Sequence, residues 1–163
     1  MDGVSEKRKR IYYLILSLLV CQLVGTLNDL LVSHSVGEWY YSLQPPPLYP
    51  PNWIFIPIWN ILLVLMGLAL YKVWRTGQSE ESISAIVWFF FQLTFNIFWV
   101  AVFFVMRSPN LALWIILVLW MLAFITWWHF RRINILAGWL LVPYLIFTTY
   151  LVYLNWGIFL LNS

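Results

Sequence analysis

The chain has 163 residues, of which 63% are hydrophobic and 9% are charged, and its mean hydropathy is +0.84. A soluble domain carries about a quarter charged residues because water has to solvate its surface. Nine basic and six acidic side chains cannot cover a globule of this size, which excludes an ordinary soluble protein. The net charge of +3 does not indicate nucleic-acid binding, because the basic residues lie in short clusters between apolar runs.

Five apolar runs are long enough to cross a membrane, for which a helix needs about 20 residues. They cover approximately residues 11–33, 53–74, 83–106, 110–130 and 133–161. Backbone polar groups in lipid must be satisfied within their own segment, so these runs are predicted to be helices. The sequence therefore predicts one all-α domain over residues 1–163, a polytopic membrane protein built as a five-transmembrane-helix bundle.

The first run follows the basic residues 7–10 and is too long for a signal peptide, so we expect a retained helix. It contains the single cysteine, Cys21, which cannot form an internal disulfide and is expected to be a small apolar filler. Asp29, beside Asn28, is the main candidate for a buried acid. With His34 it could relay protons or bind a metal; alternatively it is an interfacial acid in wet surroundings.

Residues 34–52 form the long connection between the first two runs and contain five prolines between positions 45 and 51. Proline favours an extended backbone and lacks an amide donor. We therefore expect a stiff, shaped loop whose aromatic side chains pack on the helix ends.

Polar and aromatic side chains share one face of three predicted helices. These stripes are Trp59, Leu63, Met66 and Leu70; Gln92, Asn96, Trp99 and Phe103; and Tyr144, Phe147, Leu151 and Asn155. The stripes could converge on a pocket with stacking walls, or the amides could bond across helix interfaces only to hold the bundle together. Pro143 is expected to kink the last helix.

The basic residues predict an orientation. With five spans, the N-terminus and the second and fourth loops lie on one side and hold every Lys and Arg except Arg107. Cytoplasmic loops are enriched in these residues. We therefore expect the N-terminus in the cytoplasm, and the proline-rich loop and the C-terminus outside.

Several motifs follow one another in an order that is specific when taken together. They are Trp39-Tyr40-x-x-Leu43-x-Pro45; Pro50-Pro51-x-Trp53-x-Phe55-x-x-x-Trp59; Met66-Gly67 with Tyr71-x-x-Trp74; Gln92-Leu93 with Asn96-x-x-Trp99; and Val142-Pro143-Tyr144 with Leu154-Asn155. Over residues 11–162 the sequence resembles the TspO/MBR family of tryptophan-rich sensory proteins and translocator (peripheral-type benzodiazepine receptor) proteins.

The resemblance implies a five-helix bundle, often a homodimer, whose pocket opens toward the loop between the first two helices. It also implies binding of porphyrins, such as protoporphyrin IX or a haem-like molecule, with cholesterol in some members. No obligatory cofactor, metal or catalytic residue is implied. By position, the expected ligand-binding residues are Trp39, Trp53, Phe55, Trp59, Gln92, Asn96, Trp99, Tyr144, Phe147 and Leu151.

Five positions depart from the family pattern, one of them Ala101, which stands where Pro is common. Gln44 precedes the prolines where Lys is usual, and Phe147 replaces a usual Trp, which keeps a stacking face but loses the indole donor. Leu151 stands where a small Ala is usual and narrows the pocket. Leu160 replaces a C-terminal Arg, so the cholesterol-type motif is absent there, which argues against cholesterol.

These observations favour a membrane protein that senses or transports porphyrins or similar flat hydrophobic molecules. We expect a prokaryotic plasma membrane, with the mitochondrial outer membrane as the alternative. No conventional catalytic motif is present. Two other functions remain open: photo-oxidative breakdown of porphyrin in the same Trp-rich pocket, and a membrane scaffold whose pocket is reduced.

Overall fold

A computed structural model describes residues 2–77 and 79–162, with side chains from residue 6 onward. Of the described residues 88% are helical, and five helices among them are long and apolar enough to span a membrane. The helices are α1 (Asp2–Ser35), the short α2 (Glu38–Ser42), α3 (Phe55–Trp74), α4 (Glu80–Val100), α5 (Pro109–Ile133) and α6 (Ile135–Asn162). The predicted all-α bundle of five spans is confirmed, and the chain is an integral membrane protein.

The helix ends follow local chemistry. Ser79 caps α4, because its hydroxyl oxygen accepts a hydrogen bond from the backbone N–H of Ser82 at 3.1 Å. At its other end α4 widens into a π-helical turn, Ala101–Val105, before α5 begins at Pro109, where a proline costs no hydrogen bond. Between α5 and α6 there is a single residue, Asn134, whose side chain accepts from the N–H of Ala137 at 3.0 Å.

The five spanning helices form a closed ring. In spatial order they are α1, α3, α6, α5 and α4, with α4 packing back on α1. This order differs from the order along the chain, because α1 is a neighbour of α4 and α3 is a neighbour of α6. Pro143 lies inside α6, and the helix continues through it to Asn162.

A fully buried apolar core fills the half of the bundle nearest the basic end. Leu63, Met66 and Leu70 of α3 point into it, and Phe89 of α4 stacks on Phe130 of α5 with ring centroids 5.5 Å apart. The outward faces carry large apolar side chains, as a lipid-covered surface requires.

Two arginines at this end lie over tryptophan rings. The guanidinium groups of Arg131 and Arg132 lie 5.4 Å from the ring centroids of Trp127 and Trp128, respectively. Such pairs suit the membrane–water interface, where indole rings and cations are both stable.

Helices α1 and α3 pack closely at Gly67. A Cβ atom there would lie 3.0 Å from Leu18 Cδ2 and 3.2 Å from the carbonyl oxygen of Ser17. Small residues allow helix backbones to pack tightly in membranes, where dispersion contacts replace the hydrophobic effect. Gly67 is therefore a packing residue.

Gly67→Val should lower the thermal stability of the detergent-solubilised protein by about 1–3 kcal/mol, since the added carbons would push α1 away from α3. The measurement is the midpoint of the loss of helical circular dichroism on heating. Gly37→Val is the matched control, because a Cβ there meets nothing within 4 Å. Equal midpoints for the two variants would contradict the packing role.

Candidate ligand-binding site

A cavity of about 290 Å³ lies at the end of the bundle away from the basic residues. The ends of α1, α4 and α6 form its walls together with the start of α3. Its lining residues are Asn28, Asp29, Val32, Ser33, Val36, Tyr40, Tyr41, Tyr49, Asn52, Phe55, Ile56, Trp59, Trp99, Val100, Phe103, Phe104, Phe147, Leu151, Leu154, Asn155 and Ile158. Its volume is at the lower end of the range for small-molecule pockets, roughly 300–1,000 Å³.

Aromatic rings make up two opposing walls of the cavity. Trp59 of α3 meets Phe147 of α6 edge to face at 5.8 Å between centroids. On the other side Phe103 packs between Trp99, at 5.8 Å, and Phe104, at 4.9 Å. Interlocked rings keep their positions, so the walls present fixed flat surfaces to a ligand.

A buried amide network closes the cavity on the side of the core. Asn96 of α4 is fully buried; its Oδ1 accepts from Asn28 Nδ2 of α1 at 2.7 Å, and its Nδ2 donates to the Tyr144 hydroxyl of α6 at 3.3 Å. One side chain therefore joins three helices directly below the cavity. Gln92, one turn deeper, is also fully buried, and its side-chain amide has no hydrogen-bond partner among the residues described.

A second amide holds a wall residue in place. The indole N–H of Trp99 donates to Asn155 Oδ1 at 3.0 Å, and Asn155 Nδ2 donates to the Pro109 carbonyl at 2.9 Å. Asn155 thus joins α6 to α4 and to the start of α5. By contrast, the buried indole N–H of Trp59 has no partner within the described part of the chain.

Two tyrosines of the proline-rich loop cover the cavity. The hydroxyls of Tyr40 and Tyr49 are hydrogen-bonded to each other, and the Tyr40 hydroxyl also donates to Asn52 Oδ1 at 3.2 Å. Burial is the main factor that raises the pKa of both phenols above their ordinary value. Both therefore stay neutral at physiological pH and present apolar rings with satisfied hydroxyls.

The loop is fastened to α6. Tyr150 donates to the Leu48 carbonyl at 2.6 Å, and Tyr153 donates to the Pro47 carbonyl at 2.8 Å. The Asn162 side chain exchanges two hydrogen bonds with the backbone of Gln44, at 2.9 and 3.1 Å. Loop aromatics also pack on the helix ends as predicted, since Tyr40 packs on Phe104 and Tyr49 packs on Phe55. The polar contacts between the loop and α6 are divided equally between tyrosine hydroxyls and the Asn162 amide.

The structure brings half of the predicted ligand-binding residues to the cavity surface. Those that line it are Phe55, Trp59, Trp99, Phe147 and Leu151. Gln92, Asn96 and Tyr144 lie buried beneath it. Trp39 packs on Phe103 at 6.1 Å from outside the wall, and Trp53 is 72% exposed and away from the cavity. The contact of each with a ligand stays a prediction.

Sequence reasoning missed the contribution of α1 to the cavity. Asp29 and Asn28 line it together with Val32, Ser33 and Val36, whereas His34 is exposed and outside the lining. The pair of polar residues in an otherwise apolar helix was the available signal. The distance along the sequence between these residues and the polar residues of α6 could not indicate that both line one cavity.

A groove of about 470 Å³ lies on the apolar outer surface between α3 and α6. Its lining residues are Pro50, Ile54, Phe55, Ile58, Leu62, Pro143, Ile146, Phe147 and Tyr150. Phe55 and Phe147 line both the groove and the cavity, and their centroids are 6.4 Å apart. These two rings therefore separate the cavity from the outer surface.

The fold and the cavity define a class: a polytopic membrane protein with an aromatic binding cavity at one end of a five-helix bundle. The model of the TspO/MBR family matches residues 17–161, and the chain belongs to this family. Family membership supports a role as a membrane sensor or ligand-binding protein.

Three relatives illustrate the breadth of the family. The chain is 37% identical to the tryptophan-rich protein TspO of Chlorobaculum tepidum over 94% of this chain and 98% of that protein. It is 39% identical to the tryptophan-rich sensory protein of Cereibacter sphaeroides, over 77% of each. It is 35% identical to the translocator protein of Homo sapiens, over 76% of each.

Trp99→Phe should destabilise the protein by about 1–3 kcal/mol more than Trp59→Phe, as judged by thermal unfolding in detergent. Both changes shrink an indole in the cavity wall. Only the first leaves the buried Asn155 Oδ1 without its donor, because the Trp59 N–H has no partner to lose among the described residues. Equal losses of stability would show that the Trp99–Asn155 bond contributes nothing.

Proposed function

We propose that this protein binds flat hydrophobic molecules of the tetrapyrrole class, such as protoporphyrin IX or a haem-like porphyrin, in order to sense or transport them. The observation that carries the proposal is the cavity with its two aromatic walls, formed by Trp59 and Phe147 on one side and by Trp99 and Phe103 on the other. Flat conjugated rings stack on such surfaces. The names of the relatives, sensory protein and translocator protein, support a role in ligand handling.

The size of the cavity determines how such a ligand would bind. At about 290 Å³ it holds part of a large ring system, so a tetrapyrrole would insert one edge and leave the rest beneath the loop. Leu151 limits the depth, since its buried side chain lies in the lining. The cavity is reduced without being closed, which favours ligand binding over the scaffold alternative.

Titration of the detergent-solubilised protein with protoporphyrin IX should give saturable quenching of tryptophan fluorescence. Trp59→Leu should weaken the affinity by about three- to tenfold, because a stacking face is lost. Leu151→Ala should strengthen it several-fold by deepening the cavity.

A stable Soret band under illumination is expected for binding, whereas its loss would favour photo-oxidative breakdown.

The matched control is Trp139→Leu, which removes an indole that is 66% exposed and lies outside the cavity. It should leave the affinity unchanged. Quenching that never saturates, or that responds equally to both tryptophan changes, would overturn the assignment of the cavity as the binding site.

The protein is proposed to sit in a prokaryotic plasma membrane, as a homodimer, with its N-terminus in the cytoplasm. Support for this orientation comes from Lys72 and Arg75 at the end of α3 and from Arg131 and Arg132 at the end of α5. The cavity, at the opposite end, would then face outward. A C-terminal alkaline phosphatase fusion should be active and a C-terminal fluorescent-protein fusion dark; the reverse result would contradict the orientation.

A further inference from the structure

The cavity has an unusual charge. Asp29 is the one ionisable acid in its lining, and no Lys, Arg or His is among the residues that line it in the described part of the chain. The neighbouring residues are aromatic or apolar apart from hydroxyls and amides. The cavity therefore contains a carboxyl group that, when it is ionised, has no cation in the lining to balance its charge.

The Asp29 carboxylate also lacks a partner elsewhere. Among the residues described, it takes part in no ion pair, and it accepts no hydrogen bond. Asp29 is half-buried on α1 and lines the cavity. An acid within a membrane span is costly, so it normally faces the interior and has a partner there.

Asn28, the residue next to Asp29, does not offer a free hydrogen-bond donor to the cavity. Asn28 is 2% exposed, and its Nδ2 is committed to Asn96, so its Oδ1 is left without a partner in the described structure. This oxygen is buried, so it offers no direct contact to a ligand. The wall formed by α1 therefore presents the Asp29 carboxyl group, while the side-chain amide of Asn28 is already committed to Asn96.

The aromatic residues of the lining also suit a cation. Trp59 and Trp99 present indole rings to the cavity, and the negative face of an aromatic ring attracts a positive charge. An ammonium group near Asp29 would favour the ionised form of the carboxylate and would meet electron-rich rings on its other sides. A carboxylate ligand at the same place would be repelled.

We propose that this cavity selects flat aromatic ligands that carry a protonated amine, with the amine placed against Asp29. The inference rests on the proposed function only because it uses the same cavity. It adds that the edge of the ligand that enters the cavity is positively charged. For a tetrapyrrole, the acidic side chains would then stay outside, beneath the loop and toward water. The cavity distinguishes its ligands by charge as well as by shape.

Three fluorescent probes test this preference directly. Each has a dansyl ring system on a short alkyl tether, which ends in an ammonium, an acetamide or a carboxylate group. Saturable energy transfer from tryptophan to dansyl, measured in an uncharged detergent, reports binding. The ammonium probe should bind about three- to tenfold more tightly than the acetamide probe, and the carboxylate probe most weakly.

Two variants separate the cavity from general charge effects. Asp29→Asn should abolish the preference for the ammonium probe and leave the acetamide probe within about twofold of its original affinity. Glu38→Gln removes a negative charge from an exposed residue of α2 outside the cavity, and it should change nothing.

The inference is overturned if the ammonium and acetamide probes bind equally to the original protein. It is also overturned if Asp29→Asn weakens all three probes alike, or if none of them shows saturable transfer. The protoporphyrin titration decides the proposed function separately, because porphyrin binding with no preference for the ammonium probe would leave that proposal standing while this one fails.

Discussion

The buried amide of Asn96 makes the two hydrogen bonds on which the cavity end of the bundle depends. In a membrane interior, an amide must find its partners within the protein, and Asn96 finds one on α1 and one on α6. Because both of its polar atoms are used, the three helices cannot slide past one another without exposing a polar group to hydrocarbon. The separation of α1 from α6 above this level, and hence the width of the cavity, is set here.

Above this floor, the cavity keeps its shape through contacts of two kinds. Ring-to-ring packing fixes Phe103 and Phe147, while hydrogen bonds fix Trp99 from behind and the loop from above. Leu151 fills volume that would otherwise belong to a ligand. The result is a pocket of modest size, which suits recognition of a planar edge more than enclosure of a whole large molecule.

The sequence predicted the fold and the family well, and the site only in part. Lipid requires long apolar helices, so hydropathy alone located the five spans. The helix ends moved by only a few residues, except that α1 begins at Asp2, ahead of the predicted start at residue 11. The stripes showed correctly which faces of α4 and α6 turn inward, but helical spacing says nothing about depth: Asn96 and Tyr144 form the floor, whereas Trp99 and Leu151 reach the cavity. Which distant residue Asp29 would face depends on the order of helices in the ring, which the chain order does not specify.

The pair formed by Phe55 and Phe147 has a consequence for how ligands arrive. The side chains of Phe55 and Phe147 line both the cavity and the lipid-facing groove, so they belong to the wall between the two spaces. A change of rotamer at Phe55 and Phe147, at the cost of their ring-to-ring packing, would connect the two spaces while the loop and its hydrogen bonds to α6 stayed intact. A molecule dissolved in the bilayer could then enter sideways, and occupancy would follow its concentration in the lipid and not in the surrounding water.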